Sequence, residues 1–324
     1  MVGYPRQVAD EEEPTMTERP SRGDIEAAAV RLGGKVRRTP TLELHGDEVG
    51  VPVRVVLKLE LTQHTGSFKA RGALNSVLSL DPEATGVVAA SGGNHGTAVG
   101  WAARRGGVEA DIFVPDHAPQ SKIDQIMAQQ AKVHLVSGFV RDALDAAMKL
   151  AADTGAVFIH PYDQLNTVAG AGTVGLEIEQ QVPDADLVLV ACGGGGLYAG
   201  LATALSGVIP VTPVEPRACP SLASAVEAGV PVPVEVGGVA VDSLGAGTAG
   251  SLALACAQSA GVKVPLVNDE DILSARRWLW KHCRVLAEPG ACVPLAAVLV
   301  GAVSVQPGET VVVVVSGGND PHIP

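Results

Sequence analysis

Aromatic residues are scarce in this 324-residue chain, at 3%, and its five cysteines include no Cys-x-x-Cys pair. Cys192, Cys219, Cys256, Cys283 and Cys292 are odd in number, which predicts reduced, cytoplasmic thiols rather than a disulfide framework. No basic run exists, and 23 Lys and Arg stand against 35 Asp and Glu, a net charge of −12, which argues against nucleic acid and anionic membranes as partners. Long apolar runs are also missing. The longest, Ala291–Val303, is broken by Pro294 and is too short to span a bilayer. Residues 1–22 are acidic and proline-bearing with no apolar centre for a signal peptide, so they read as a frayed tail in which Met16 is a second candidate start. What is present is 47% apolar residues with many Gly and Ala, the composition of a closely packed α/β protein and not of a disordered one. The length suffices for one large or two medium domains.

Apolar positions Ile25, Ala28, Ala29 and Leu32 predict a helix over Asp24–Leu32, stopped by Gly33-Gly34, with an extended link at Arg37–Leu42. A strand at Val53–Leu57 then enters a polar loop that closes on Gly66-Ser67, and a helix follows to about Leu80. Ser67 is the expected N-cap, which puts Lys69 in the first turn. There the helix dipole and partial burial both disfavour an ammonium, and a Schiff-base lysine needs its neutral form. Strands and helices alternate from here on, the mark of a parallel sheet covered on both faces. Short strands fall at Gly86–Ala90, Ala110–Pro115, Lys132–Val136 and Ala156–His160; more strongly apolar ones fall at Leu187–Cys192, Ile209–Val214 and Thr310–Val315. Helices are expected over Asp269–Cys283 and Ala291–Val303 near the end.

Three glycine- or serine-bearing turns follow strands. Ser91-Gly92-Gly93-Asn94-His95 is lined by backbone N–H groups at a helix start, a ready carboxylate site. Gly193-Gly194-Gly195-Gly196-Leu197 suits a phosphate held without a cationic side chain. The same stretch also fits a dinucleotide fingerprint, Gly194-x-Gly196-x-x-Ala199 with Glu215 ending the next strand, but that alternative leaves Lys69 and Asn94 unexplained. The third turn is Ser316-Gly317-Gly318-Asn319-Asp320.

The string from Lys58 through Thr-Gly66-Ser67-Phe68-Lys69-Ala70-Arg71-Gly72-Ala73 resembles the cofactor-lysine motif of the fold-type II pyridoxal-phosphate (PLP) enzymes. Ala70 is similar to the serine/threonine dehydratase and serine racemase branch, where threonine and cysteine synthases carry Asp. The resemblance covers nearly the whole chain and implies a tryptophan synthase β-like α/β fold: two doubly wound parallel-sheet domains with the cofactor between them. Segments 1–75 and 160–324 would form the large domain, 76–159 the small one.

By the same resemblance Lys69 binds the cofactor covalently beside Phe68, and Asn94 bonds its phenolic oxygen. Gly193, Gly194, Gly195, Gly196 and Leu197 hold its phosphate, and Ser316 bonds its pyridine nitrogen. Ser91, Gly92, Gly93, Asn94 and His95 grip the substrate carboxylate, with His95 structural rather than a proton carrier. Serine racemases carry a Ser where this chain has Gly92, so elimination is favoured over racemisation; the neutral Ser316 points the same way. Thr173 and Glu177 resemble a structural turn. Glu215 matches a cation-binding position of relatives, but the accompanying Asp is missing, so no metal is expected. Glu288 is as compatible with packing or capping as with catalysis.

The expectation is therefore a cytoplasmic, homodimeric PLP-dependent lyase that dehydrates and deaminates L-threonine or L-serine to a 2-keto acid and ammonia. The chain ends at Pro324, and no feedback inhibition by isoleucine is expected. Other possibilities are a lyase of 3-hydroxyaspartate or another β-substituted amino acid, a racemase, an inert PLP-binding paralogue, and an NAD-binding module.

Overall fold

Five consecutive valines, Val311–Val315, are all fully buried, which only a strand covered on both faces achieves. In the computed structural model, which describes residues 19–44, 46–320 and 322–324, Val312 and Val314 enter one hydrophobic cluster while Val311, Val313 and Val315 enter another on the opposite face. Each such valine contributes roughly 1.5–3 kcal/mol of burial. The frayed tail and second start expected over 1–22 lie outside the described residues up to residue 18; Ser21 already caps a helix, Arg22–Leu32.

Ten strands follow among the described residues: β1 (Thr41–Leu44), β2 (Arg54–Lys58), β3 (Val87–Ala90), β4 (Ala110–Pro115), β5 (Lys132–Val136), β6 (Val157–Phe158), β7 (Leu187–Ala191), β8 (Val211–Pro216), β9 (Leu266–Val267) and β10 (Thr310–Val314). They form a six-stranded sheet of order β1-β2-β10-β7-β8-β9 and a four-stranded sheet of order β5-β4-β3-β6. Every pairing is parallel except β1 with β2, so part of the expected extended link is in fact an antiparallel edge strand. Helices cover both faces of the larger sheet. Leu165–Gln181, Gly196–Ala204 and Ser251–Ala260 lie on one side, Asp269–Trp278 and Pro289–Leu299 on the other. The smaller sheet packs Lys69–Leu78 and Asn94–Gly106 on one face and Val140–Thr154 on the other.

Two helices near the C-terminus depart from expectation. Asp269–Trp278 gives way to a π-helical turn, Leu279–Cys283, that ends on Arg284 in the left-handed region. The last helix runs over Pro289–Leu299 rather than Ala291–Val303, because a proline is well suited to the first helical position and the chain turns at Gly301 with φ +67°. No helix among the described residues is long and apolar enough to cross a membrane.

In an open parallel sheet the crevice beyond the carboxyl ends of the strands is where ligands bind. Gly193 follows β7 and Ser316 follows β10, neighbours in the larger sheet, so strand order gathers these two turns, while Ser91 follows β3 of the smaller sheet and its turn is joined to them by the side chain of Asn94, bonded to Glu288 and Asn319.

Candidate active site

The loop from β2 to the lysine helix makes two short 3₁₀ turns, Glu60–Thr62 and His64–Gly66. Ser67 is not the helix cap. Its backbone is extended and pairs with Gly317, and Phe68 N–H donates to the Ser316 carbonyl at 3.0 Å, so Phe68 becomes the N-cap and Lys69 the first helical residue. The Ser67 hydroxyl is buried with no hydrogen-bond partner. Lys69 Nζ donates to the Pro161 carbonyl at 2.5 Å and lies 5.1 Å from the centre of the Phe68 ring. Burial pushes this amine down to about 8, against the attraction of Glu288. Below that pH the amine is protonated and above it free. In the apo-protein, half-maximal labelling of Lys69 by an amine reagent is therefore expected near pH 8. Peptide mass spectrometry across pH would check this, and a midpoint near the ordinary lysine value of about 10.4 would contradict it.

Ser91 N–H continues the sheet by donating to the Phe113 carbonyl, and its hydroxyl accepts from Gly93 N–H at 3.2 Å. A side chain at Gly92 would meet Val114 Cγ1 at 3.0 Å and Ala118 Cβ at 3.4 Å. Gly93 is the N-cap of the helix that Asn94 opens. The Asn94 side chain reaches across the site: Nδ2 donates to Glu288 Oε1 at 2.9 Å, and Oδ1 accepts from Asn319 Nδ2 at 2.7 Å. His95 is buried, and its Nε2–H donates to the Ile159 carbonyl at 2.9 Å while Nδ1 has no partner. Burial, reinforced by Lys69, pushes it down to about 3, so it stays neutral.

The glycine loop is a cradle that side chains would fill. A Cβ at Gly193 would sit 2.9 Å from Leu244 Cα, one at Gly194 would collide with the Tyr162 ring, one at Gly195 with Ala253, and one at Gly196 would lie 2.6 Å from the Tyr162 carbonyl oxygen. Gly195 is also left-handed, with φ +88°, and the helix Gly196–Ala204 begins directly after it with Leu197 buried in its first turn.

Glu288 stands at the N-cap position of the helix Pro289–Leu299 but makes no side-chain capping bond. It is buried, its carboxylate accepts from Asn94 Nδ2 and from Asn319 N–H, and burial raises its pKa. Ser316 is buried at the end of β10. Glu215, the position expected to lack a metal, gives its two carboxylate oxygens to Leu222 N–H at 2.8 Å and Ala223 N–H at 2.9 Å, and burial pushes it up to about 7. Among the described residues no three His, Cys, Asp or Glu side chains gather as a metal would need.

Sequence reasoning missed Asn319, Tyr162 and Asp163. Asp163 holds the start of the helix Ser251–Ala260 through Ser251 and Leu252 N–H, both at 3.0 Å, and Tyr162 OH donates to the Thr248 carbonyl at 3.1 Å. The one available signal was Asn319's place in the polar turn after Ser316.

A buried amine with a lowered pKa, a glycine cradle at a helix start, and the orphaned buried hydroxyls of Ser67 and Thr65 fit a phosphorylated aldehyde cofactor. With two doubly wound α/β sheets, they define a fold-type II PLP enzyme. The chain belongs to the pyridoxal-phosphate dependent enzyme family, which matches residues 33–317. It is 38% identical over 307 residues to L-threonine ammonia-lyase of Geobacter sulfurreducens, covering 91% of this chain and 74% of that one. Among solved structures, a threonine deaminase from T.th. superposes with a TM-score of 0.87 at 35% identity, covering 94% of this chain and all of that one. Maize serine racemase superposes at 0.88 with 31% identity, covering 93% and 94%.

Proposed function

We propose that the protein is a PLP-dependent ammonia-lyase that removes the β-hydroxyl and amino groups of L-threonine or L-serine, giving a 2-keto acid and ammonia. When bound, the cofactor withdraws electrons from the substrate α-carbon. The N–H groups of Gly193–Gly196 and the helix start behind them hold its phosphate. Ser316 takes the pyridine nitrogen, and Asn94 the phenolic oxygen. The amides of Ser91–His95 orient the substrate carboxylate. Lys69, neutral at pH values above about 8, takes the α-proton. The electron pair left on the α-carbon would then expel the β-hydroxyl, which would leave as water with the proton that Lys69 took, and addition of water to the remaining enamine would give the 2-keto acid and ammonia. The observation that carries the proposal is the buried Lys69 amine with its lowered pKa, bonded to the carbonyl of Pro161, next in sequence to the Tyr162 against which the glycine cradle packs. Gly92 has no hydroxyl to return a proton from the opposite face, which favours elimination over racemisation although racemases are among the relatives.

The division near residues 75 and 160 is proposed as the domain boundary, supported by the two separate sheets. A cytoplasmic homodimer is proposed with it, as the resemblance implies. The test is keto acid release from L-serine, L-threonine, 3-hydroxyaspartate and a diamino acid, with borohydride trapping at Lys69. A PLP-free preparation, or no turnover of any of these, would reject the proposal. Gly194→Ala is expected to weaken cofactor binding about tenfold or more, since the new methyl enters the Tyr162 ring. Titration of apo-protein with pyridoxal phosphate checks this, and an unchanged affinity would contradict it.

A further inference from the structure

The Asn94 amide sits in a chain of hydrogen bonds whose direction is fixed. The Thr65 carbonyl can only accept, so the Asn319 nitrogen faces it, at 2.8 Å. The second hydrogen of that nitrogen goes to Asn94 Oδ1, at 2.7 Å. At the other end Asn94 Nδ2 gives one hydrogen to the Glu288 carboxylate, 2.9 Å from Oε1 and 3.1 Å from Oε2. Glu288 Oε2 also accepts the backbone N–H of Asn319, at 3.3 Å. The Asn94 oxygen is thereby occupied, and one of its two N–H hydrogens is left over.

Building on the function proposed above, we infer that Asn319 is a positioning residue: by occupying the Asn94 carbonyl oxygen it leaves the remaining Asn94 N–H as the group offered to the cofactor's phenolic oxygen.

The surroundings are shaped around Asn319. Gly66 has φ +72°, and a Cβ there would collide with Asn319 Oδ1. Thr65 is held in the left-handed region at φ +61°, which is costly for a β-branched residue, and in that conformation its carbonyl accepts from Asn319. A Cβ at Gly317 would collide with the Glu288 carboxylate, so glycine there lets the chain of bonds close. An ionised phenolic oxygen is stabilised by an N–H donor and repelled by an amide oxygen. The orientation of Asn94 therefore sets the balance between the ionised and protonated phenol, which absorb in the visible and near ultraviolet respectively.

The holoenzymes of the parent, Asn319→Ala, Asn319→Asp and Gly66→Ala test this by absorption spectrum, circular dichroism and cofactor titration. Aspartate can donate neither to Thr65 nor to Asn94, so Asn319→Asp is expected to cut the visible band about threefold relative to the near-ultraviolet band and weaken cofactor binding about tenfold. Asn319→Ala and Gly66→Ala should move both readouts in the same direction. Folded variants with the parent's band ratio would overturn the inference. So would failure of both Asn319 variants to fold, since Asn319 would then be a structural residue. A parent that carries no cofactor on Lys69 would instead reject the function proposed above and take this inference with it, so the two failures are distinguishable.

Discussion

Lys69→Ala is expected to lower keto acid release by about 10,000-fold or more, because it removes both the covalent anchor and the base. Among the described residues no other lysine is placed to replace it. Lys58 Nζ is buried and committed to Glu177 at 2.5 Å, to Gln181 at 2.7 Å and to the Thr39 carbonyl at 2.9 Å. Lys122 pairs with Asp242 at 3.0 Å. His95 is held neutral by burial and uses its one N–H on a backbone carbonyl. The glycine cradle does not depend on the amine, so the variant should still bind pyridoxal phosphate, non-covalently and without a borohydride-stable link. Lys69→Arg should fail equally, since it restores the charge but not a nucleophile. Steady-state keto acid assays on variants with parental circular dichroism give the answer. Activity within tenfold of the parent, on the order of one unit of the usual logarithmic scale, would remove Lys69 from the mechanism.

Arg71→Ala is expected to cost about 3–5 kcal/mol of stability, a fall in Tm of roughly 6–15 °C. The Arg71 guanidinium is 1% exposed and forks onto Glu60, with Nε and Nη2 each 2.8 Å from a carboxylate oxygen. Its Nη1 reaches Glu177 Oε1 at 2.8 Å and Thr173 Oγ1 at 3.2 Å. Burial opposes the charge, but Glu60 and Glu177 outweigh it and keep the guanidinium ionised. Lys58 completes a group of two cations and two carboxylates, so truncating Arg71 leaves the fully buried Glu60 carboxylate without its cation. The group ties the loop before Lys69 to the helix Leu165–Gln181, and Arg71 lies two residues beyond the reactive lysine. A lower kcat at an unchanged cofactor stoichiometry should accompany the loss of stability. Thermal unfolding of Arg71→Ala beside Arg71→Met/Glu60→Gln separates the unpaired charge from lost packing, and the double variant should recover part of the loss. A single variant with the parent's Tm would show the network to be dispensable.

The alternation of strands and helices, the central valine strand, the glycine cradle and the lysine at a helix start were all legible in the sequence. Each is encoded within a few residues, by hydrophobic period, by glycine at a turn, or by a polar residue at a strand end. The errors were local signals overridden from elsewhere in the chain. Ser67 has the chemistry of an N-cap, yet pairing with Gly317 takes its backbone and the helix starts on Phe68. Thr41-Leu42-Glu43-Leu44 alternates polar and apolar residues over only four positions, a signal easily passed over, and becomes a strand where β2 offers it an edge.

The alternating pattern of strands and helices fixed the α/β fold class in advance, and the resemblance to a known family supplied the candidate cofactor and the lysine that would hold it. How the Asn94 amide is held, and that the Glu288 carboxylate faces the site, come from contacts between distant parts of the folded chain. Glu288 lies 194 residues and Asn319 225 residues from Asn94, and they meet because the turn after β3 of the smaller sheet faces the turn after β10 of the larger one. Strand order places side chains without leaving a trace in the residues near either partner. That is the physical reason the anchor could be read in advance and its supporting contacts could not.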